Sequence, residues 1–222
     1  MARVLLGVTG SVAASRTPRL YQTLTAAGHS VHVVATTPSL YFFDPNQLTP
    51  PLQDPDAPQA GPLLRDADEW PGNQYQRDDP VLHIELRKWA DVLVVAPLDA
   101  NTLAKFALGL ADNLLTCVFR AWDFQRSVIL APAMNTLMWE SPVTLRHLRQ
   151  LLETFGDSRV LPVGNAWGLE QAPDVFARCA PGIVLIPPQA KRLACGDVGP
   201  GAMAEVATIA EAVRRWGASI EA

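Results

Sequence analysis

Short apolar segments that do not alternate with polar residues constrain the fold of this chain more than any other feature. Each is rich in Val, Leu and Ile. They are Val4–Thr9, Ser30–Thr36, Asp91–Pro97, Ser127–Ala131 and Ile183–Pro187. Strands that are apolar on both sides are typical of parallel sheets covered on both faces, because a sheet with one wet face alternates.

Segments with helical spacing separate these strands. The predicted helices are Val12–Ala27, Ala100–Leu110, Asn113–Trp122, Pro142–Phe155 and Ala204–Trp216. The alternation predicts an α/β fold, a doubly wound parallel sheet that is flavodoxin- or Rossmann-like with helices on both faces. Ligands of such folds bind beyond the carboxyl ends of the strands.

Composition favours one domain over residues 1–222, because 49% of the residues are apolar and only 18% are charged. A net charge of −4 gives no basis for a nucleic-acid partner. No apolar run reaches the roughly 18 residues of a membrane span, and Val4–Val8 is shorter than the roughly 7–15 residues of an export signal. The three cysteines lack metal or disulfide spacing, so we expect a cytoplasmic protein without a metal or a membrane partner.

Residues 44–80 form a predicted surface excursion. They contain eight acidic residues against Arg65 and Arg77, and nine of the nineteen prolines lie between Pro38 and Pro80. Proline removes a backbone donor and disfavours helix in the residue before it. We also expect Thr49–Pro62 and Ser158–Pro181 to be surface additions.

Two turns at strand ends are candidates for binding a phosphate. The first, Gly7–Ser11, opens directly into a helix, where glycine permits close approach and free N–H groups favour an anion. An ordinary capped helix start explains the same residues equally well. The second turn, Thr36–Ser39, offers hydroxyl groups, which loop polarity also explains.

The next two strand ends carry amide and thioether groups. Asn101 and Thr102 follow one strand and would suit a flat heteroaromatic ring, while Asp99 is explained by helix capping alone. Asn135 lies between Met134 and Met138 after the following strand. The thioether side chains, taken alone, are more typical of a core.

His83 and Cys195 are the remaining candidates. An isolated histidine before the polar helical segment Glu85–Trp89 is usually structural. Cys195 lies among glycines, which indicates a mobile flap over residues 190–203, whereas Cys117 lies inside an apolar helix and is predicted to be structural.

Together these segments resemble the homo-oligomeric flavin-containing cysteine decarboxylases. The motifs that carry the resemblance are GVTGSVAA, DADEW, HIELRKWADVLVVAP, PLDANTLAKFALGLADNLLTCVFRAWD, APAMNTLMW and KRLACGDVGPGAMAE. The resemblance covers most of the chain. It implies decarboxylation of (R)-4′-phosphopantothenoyl-L-cysteine, with FMN taking a hydride from the thiol-bearing carbon, so that CO2 can leave, and later returning it.

The resemblance also implies residue roles. The FMN phosphate would lie on Gly10, Ser11 and Val12 and on Thr36, Thr37 and Ser39. The ring system would lie near Ala100, Asn101, Thr102, Leu103 and Met134. His83 would handle protons during oxidation and decarboxylation, and Cys195 would protonate the enethiolate intermediate. Substrate contacts would come from Asn135, which grips the carboxylate, and from Met138, Arg192, Ala194 and Met203.

Finally, the resemblance implies a homotrimer with active sites shared between subunits, acting on a small-molecule substrate. Two alternatives remain open. One is a decarboxylase of peptides that end in cysteine, and the other is a regulatory, phosphatase-binding protein of the same fold. The flap motif KRLACGD argues against the first, and the presence of all the catalytic residue types argues against the second.

Overall fold

The structure is a computed structural model that describes residues 1–48, 56–58, 61–70, 74, 76–162, 166–193 and 196–220, the side chains of 217–220 excepted. The strands are β1 Arg3–Val8, β2 Ser30–Ala35, β3 Leu63–Arg65, β4 Val92–Leu98, β5 Val128–Pro132, β6 Ile183–Leu185, β7 Gln189–Arg192 and β8 Val198–Ala202. The helices are α1 Thr17–Ala26, α2 Leu82–Trp89, α3 Ala100–Leu108, α4 Leu114–Arg120, α5 Thr136–Trp139, α6 Pro142–Phe155, α7 Ala172–Cys179 and α8 Val206–Ile220.

Six strands form one parallel sheet in the order β3-β2-β1-β4-β5-β6. This confirms the predicted doubly wound fold. Without the short edge strand β3 the order is that of flavodoxin, and with it the order is that of a Rossmann sheet. The chain changes direction across the sheet between β1 and β4, so the crevice for a ligand lies at the carboxyl ends of these two strands.

Two apolar layers cover the sheet, one on each face. Leu5, Leu93 and Leu130 point into the layer built with α2, α3, α4, α6 and α7. Their chain neighbours Leu6, Val94 and Ile129 point into the layer built with α1 and α8. Because both faces of every central strand are buried, these strands lack polar alternation.

Several predicted boundaries shift. The expected helix Val12–Ala27 begins as a 3-10 turn over Val12–Arg16, and α1 follows it. His83 lies inside the first turn of α2, where we expected it before a helix. The predicted flap contains an antiparallel hairpin of β7 and β8.

The expectation that Ser158–Pro181 is a surface addition is wrong. This segment contains α7, whose Val175, Phe176 and Cys179 are buried in the core, and Trp167 is buried as well. The excursion at 44–80 likewise contributes structure, since its residues Leu63–Arg65 form the edge strand β3 beside β2.

Candidate functional site

The crevice is organised by Thr9 at the end of β1. Its buried hydroxyl donates to the Pro97 carbonyl oxygen at 2.8 Å and accepts the Asp99 N–H at 2.7 Å. These two bonds fix the end of β1 against the end of β4, so the turn after β1 and the start of α3 meet at the point where the sheet order reverses.

Gly10 brings the first two strand ends into contact. A Cβ atom at Gly10 would lie 2.8 Å from Cβ of Pro38, a distance that real side chains essentially do not adopt. Ser11 has extended backbone and its hydroxyl accepts the Ala13 N–H at 3.4 Å. The turn therefore has the open backbone and helix-like N–H groups that a phosphate requires, and these residues fit an FMN phosphate.

The second turn is more closely bonded within the protein than we expected. The Thr36 hydroxyl donates to the Val8 carbonyl oxygen at 3.3 Å, and the Ser39 hydroxyl donates to the Thr36 carbonyl oxygen at 2.7 Å. Both side chains are buried. Thr37 donates its N–H and its hydroxyl to Asp66 at 3.3 and 3.0 Å. A hydroxyl has a single proton, so Thr36 and Ser39 shape this wall of the crevice and have no proton left for a phosphate.

The start of α3 presents fewer side chains to the crevice than expected. Asp99 caps the helix by accepting the Thr102 N–H at 2.7 Å. The side chains of Thr102 and Leu103 are buried, whereas Asn101 is exposed and Ala100 is half-buried. The predicted place of these four residues near the flavin ring stays a prediction.

A cavity of about 330 Å³ lies beside the first turn. Six of the predicted site residues line it, and they are Ser11, Val12, Met134, Asn135, Arg192 and Met203. The structure thus brings the expected phosphate turn, the end of β5 and the flap hairpin to one place. Met138 and His83 are not among the residues that line this cavity.

The β7–β8 hairpin lies over the end of β5 and is hydrogen-bonded to the residues that follow it. The Met134 N–H donates to the Gly201 carbonyl oxygen at 3.0 Å. Gly201 has a φ of +151°, and a Cβ atom there would clash with the Met134 carbonyl oxygen. Glycine at this position therefore lets the flap lie directly on the residue beside Asn135.

Asn135 holds a carboxylate in this structure. Its side-chain oxygen accepts the Leu137 N–H at 2.8 Å, which caps α5 and fixes the orientation of the amide. The amide nitrogen consequently points toward the flap, where it donates to the carboxylate of Asp197. An amide binds a carboxylate without a fixed positive charge, and this is the interaction predicted for the substrate.

Cationic side chains surround the cavity. Arg16 Nη1 lies 3.2 Å from Glu205 Oε2, and Lys191 Nζ is paired with the other oxygen of the same carboxylate. The hydrogen bond from Lys191, followed by the charge of Arg16, lowers the pKa of Glu205. With Arg192, three cationic side chains line the described part of the cavity, against the two carboxylates of Glu205 and Asp197 bonded to its lining residues, and this excess of positive charge favours an anionic ligand.

His83 is held by Glu69, a residue that we did not single out from the sequence. His83 Nδ1 lies 2.5 Å from Glu69 Oε1, and the His83 backbone N–H donates to Glu69 Oε2 at 3.1 Å. Glu69 is only 3% exposed. Its position in the DADEW motif could have identified Glu69 from the sequence.

The cysteines differ in accessibility. Cys195 and Ala194 lie outside the described residues, so their predicted roles remain predictions. Cys179 is buried and its thiol lies 3.1 Å from the Val160 carbonyl oxygen. Burial, followed by the charges of Glu69, Asp112 and Asp66, raises the pKa of Cys117, so this thiol is kept protonated as its predicted structural role requires.

The described ranges contain neither a metal-binding cluster nor a membrane-spanning helix. No group of three His, Cys, Asp or Glu side chains there is arranged to hold a metal ion. None of the helices there is both long and apolar enough to cross a bilayer.

Comparison with known proteins shows which family the chain is similar to. A phosphopantothenoylcysteine decarboxylase of Arabidopsis thaliana is 47% identical over 212 residues, which are 96% of this chain and 83% of the relative. A solved structure of a cysteine-to-serine mutant of PPC decarboxylase, complexed with pantothenoylaminoethenethiol, is 45% identical. It has a TM-score of 0.74 with 97% of each chain covered.

The FMN-binding protein AtHal3 is a second similar solved structure, 45% identical with a TM-score of 0.72 over 98% of this chain and 97% of that one. The family model described as flavoprotein matches residues 1–217. This chain therefore belongs to the flavoprotein family, alongside the phosphopantothenoylcysteine decarboxylases that it matches over nearly its whole length.

Proposed function

We propose that this protein is an FMN-dependent decarboxylase that converts (R)-4′-phosphopantothenoyl-L-cysteine to 4′-phosphopantetheine in coenzyme A biosynthesis. The observation that carries the proposal is the amide of Asn135 bound to a carboxylate at a cavity bordered by the phosphate-binding turn. The similarity to named decarboxylases over 96% of the chain supports the same substrate.

The residues that would hold FMN come from three strand ends. Gly10 and Val12 would supply backbone donors for its phosphate and Ser11 its hydroxyl, because the Ser11 N–H is bonded to the Thr9 carbonyl oxygen, and Ala100, Asn101 and Met134 would border the place for its ring. When bound, FMN supplies reversible two-electron chemistry, so the substrate carbon can be oxidised before CO2 leaves and reduced afterwards.

Side chains of the protein bind the substrate carboxylate and transfer the protons. Asn135 releases Asp197 and holds the substrate carboxylate, and its neutral amide adds no positive charge of its own that would hold back the departing CO2. His83 accepts and returns a proton through Nε2, because its Nδ1 is bonded to Glu69. Cys195 then donates a proton to the enethiolate carbon that has lost CO2, and the hydride equivalent that reduced FMN would return completes the saturated thiol.

The flap excludes water from these steps. The β7–β8 hairpin covers the cavity through Arg192, Leu193 and Ala202 and is fixed to Met134. Substrate must displace Asp197 from Asn135, so we expect the hairpin to open when substrate enters and to close on the reacting groups.

The active unit is a homotrimer in which neighbouring subunits share each site. Large apolar side chains are exposed at the end of α3, on α5 and at the start of α6, which packs on α3. They are Leu108, Leu110, Leu137, Met138 and Val143, exposed by 47–76%. Exposed apolar surface of this kind supports an interface between subunits, and a shared site explains why His83 does not line the cavity with Asn135.

We place the protein in the cytoplasm. Cys117 and Cys179 are free thiols, which suits a reducing compartment.

A substrate assay tests the proposed function. Purified protein reconstituted with FMN is given (R)-4′-phosphopantothenoyl-L-cysteine or, in parallel, a peptide ending in cysteine, and CO2 release is measured. We expect CO2 from the first substrate only. Release from the peptide alone would favour the peptide decarboxylase, and release from neither would refute the proposal.

The Cys195→Ser variant tests the late proton donor. Because Cys195 acts after CO2 has left, the variant should still release CO2 but should accumulate a product two hydrogens short of 4′-phosphopantetheine, detected by mass spectrometry. A variant that releases no CO2 although it binds FMN normally would contradict this role.

A further inference from the structure

Glu69 is a buried carboxylate whose two oxygens both contact one residue. It lies in the 3-10 turn Asp66–Glu69 that follows β3, and its partner His83 lies in the first turn of α2. A buried carboxylate requires hydrogen-bond donors. Both of the contacts resolved for it are donors of His83.

The two contacts do different things. The bond from the His83 N–H to Oε2 satisfies a free donor at the start of α2, where the N-cap residue Val81 makes no side-chain cap. The contact of Nδ1 with Oε1 at 2.5 Å is not needed to cap a helix. A carboxylate accepts only, so this contact places a proton on Nδ1 and leaves Nε2 of the neutral ring as an acceptor.

We propose that Glu69 is a positioning residue for the decarboxylation, which selects the Nδ1–H tautomer of His83 and aims Nε2 at the reacting proton. The proposal rests on the proposed function through the role of His83. The tautomer itself can be measured without substrate, so a failure of this inference is distinguishable from a failure of the proposed reaction.

The isosteric variant Glu69→Gln separates the two contacts. Its amide keeps one oxygen that can cap α2, but it replaces the other acceptor with an NH2 group that favours the opposite tautomer of the ring. Glu153→Gln, on the exposed face of α6, is the matched control because it removes the same charge away from the site. Glu69→Asp keeps the charge but shortens the side chain.

The first measurement is nitrogen NMR of ¹⁵N-histidine-labelled protein without substrate, with the His83 signal assigned by the His83→Asn variant. We expect Nδ1 to carry the proton in wild type and in Glu153→Gln, and the preference to be lost in Glu69→Gln. An unchanged Nδ1–H tautomer in Glu69→Gln would overturn the proposal.

The second measurement is a kinetic double-mutant cycle. We expect Glu69→Gln to lower kcat on the order of 10²-fold, which is the loss expected when a general base is mispositioned. KM and FMN content should change little. Glu69→Asp should recover part of that loss. Since Glu69 acts through His83, adding Glu69→Gln to His83→Asn should lower kcat no further. If Glu69→Gln lowers kcat equally in wild type and in His83→Asn, the role of Glu69 is merely structural. The same conclusion follows if FMN release or unfolding explains the loss.

Discussion

At the scale of single residues, Gly10 is the position where an added side chain should most directly disturb the proposed phosphate-binding turn. A Cβ atom there would press on Pro38. We expect Gly10→Ala to weaken FMN binding about tenfold or more, equivalent to roughly 1.4 kcal/mol, measured by fluorescence titration of apoprotein. FMN affinity equal to that of wild type would contradict this.

The double variant Gly10→Ala with Pro38→Gly identifies the cause. It removes the opposing Cβ atom, so it should restore affinity if the contact with Pro38 is the whole reason. Persistent weak binding would indicate that the added methyl group blocks the phosphate itself.

Cysteine reactivity gives a second prediction at this scale. The pKa of Cys117 is raised by burial and by neighbouring carboxylates, so little thiolate forms at neutral pH, and Cys179 is buried. Iodoacetamide at pH 7 should therefore modify Cys195 first, and activity should be lost with the same time course. Modification of Cys117 should become faster only as the pH rises through its raised pKa.

Peptide mapping of the alkylated protein checks this order. The Cys195→Ser variant serves as the control and should lose the rapid phase. Equal labelling rates for Cys117 and Cys195 at pH 7 would contradict the assignment of Cys117 as structural.

The sequence identified side chains that act alone better than side chains that act in pairs. Asn135 was predictable as a candidate because an amide among thioether side chains at a strand end is unusual for a mere connection, although the same side chain also caps α5. Glu69 was not, because its partner His83 lies fourteen residues further along the chain. The sequence also could not show that the Thr36 hydroxyl donates to Val8 on β1 and the Ser39 hydroxyl to Thr36, and their predicted contacts with a phosphate stay predictions.

At the scale of elements, α7 contributes core that we did not predict. Phe176 is fully buried on this helix. We expect Phe176→Ala to lower the free energy of unfolding by about 3–5 kcal/mol, measured by urea denaturation. Arg178→Ala on the exposed side of α7 is the control and should change stability little. A loss below about 1 kcal/mol in Phe176→Ala would contradict the burial of this helix.

Secondary-structure elements were predictable where their residues follow a recognisable hydrophobic pattern. β1, β2, β4 and β5 follow from continuous apolar runs because they are buried on both faces. The three-residue strand β3 is too short for a pattern and lies among prolines. The strands β7 and β8, which read QAKR and VGPGA, are held by backbone pairing and by contacts with Met134 and Thr136. The residues within β7 and β8 form no local sequence pattern from which such contacts could be predicted.

At the scale of the whole molecule, the proposed sharing of sites between subunits has a direct consequence. His83→Asn and Asn135→Ala should each keep only a small residual activity. When the two variants are unfolded and refolded together, sites that combine an intact His83 with an intact Asn135 form across the interfaces. Random assembly of shared sites then restores roughly a quarter of wild-type activity.

The refolding experiment has its own control. Each variant refolded alone should stay at its residual activity, and light scattering should report a trimer in all samples. Absence of recovery in mixed trimers that bind FMN normally would place His83 and Asn135 of each site in the same subunit, against the proposal.

The central claim is that FMN held at the carboxyl edge of the sheet is required for the loss of CO2. The most direct test is the rate of CO2 release from (R)-4′-phosphopantothenoyl-L-cysteine, measured as flavin-free protein is titrated with FMN and occupancy is followed by absorbance. The account predicts no release from the flavin-free protein and a rate that rises in proportion to bound FMN. Release of CO2 by flavin-free protein, or a protein that takes up no FMN, would contradict it.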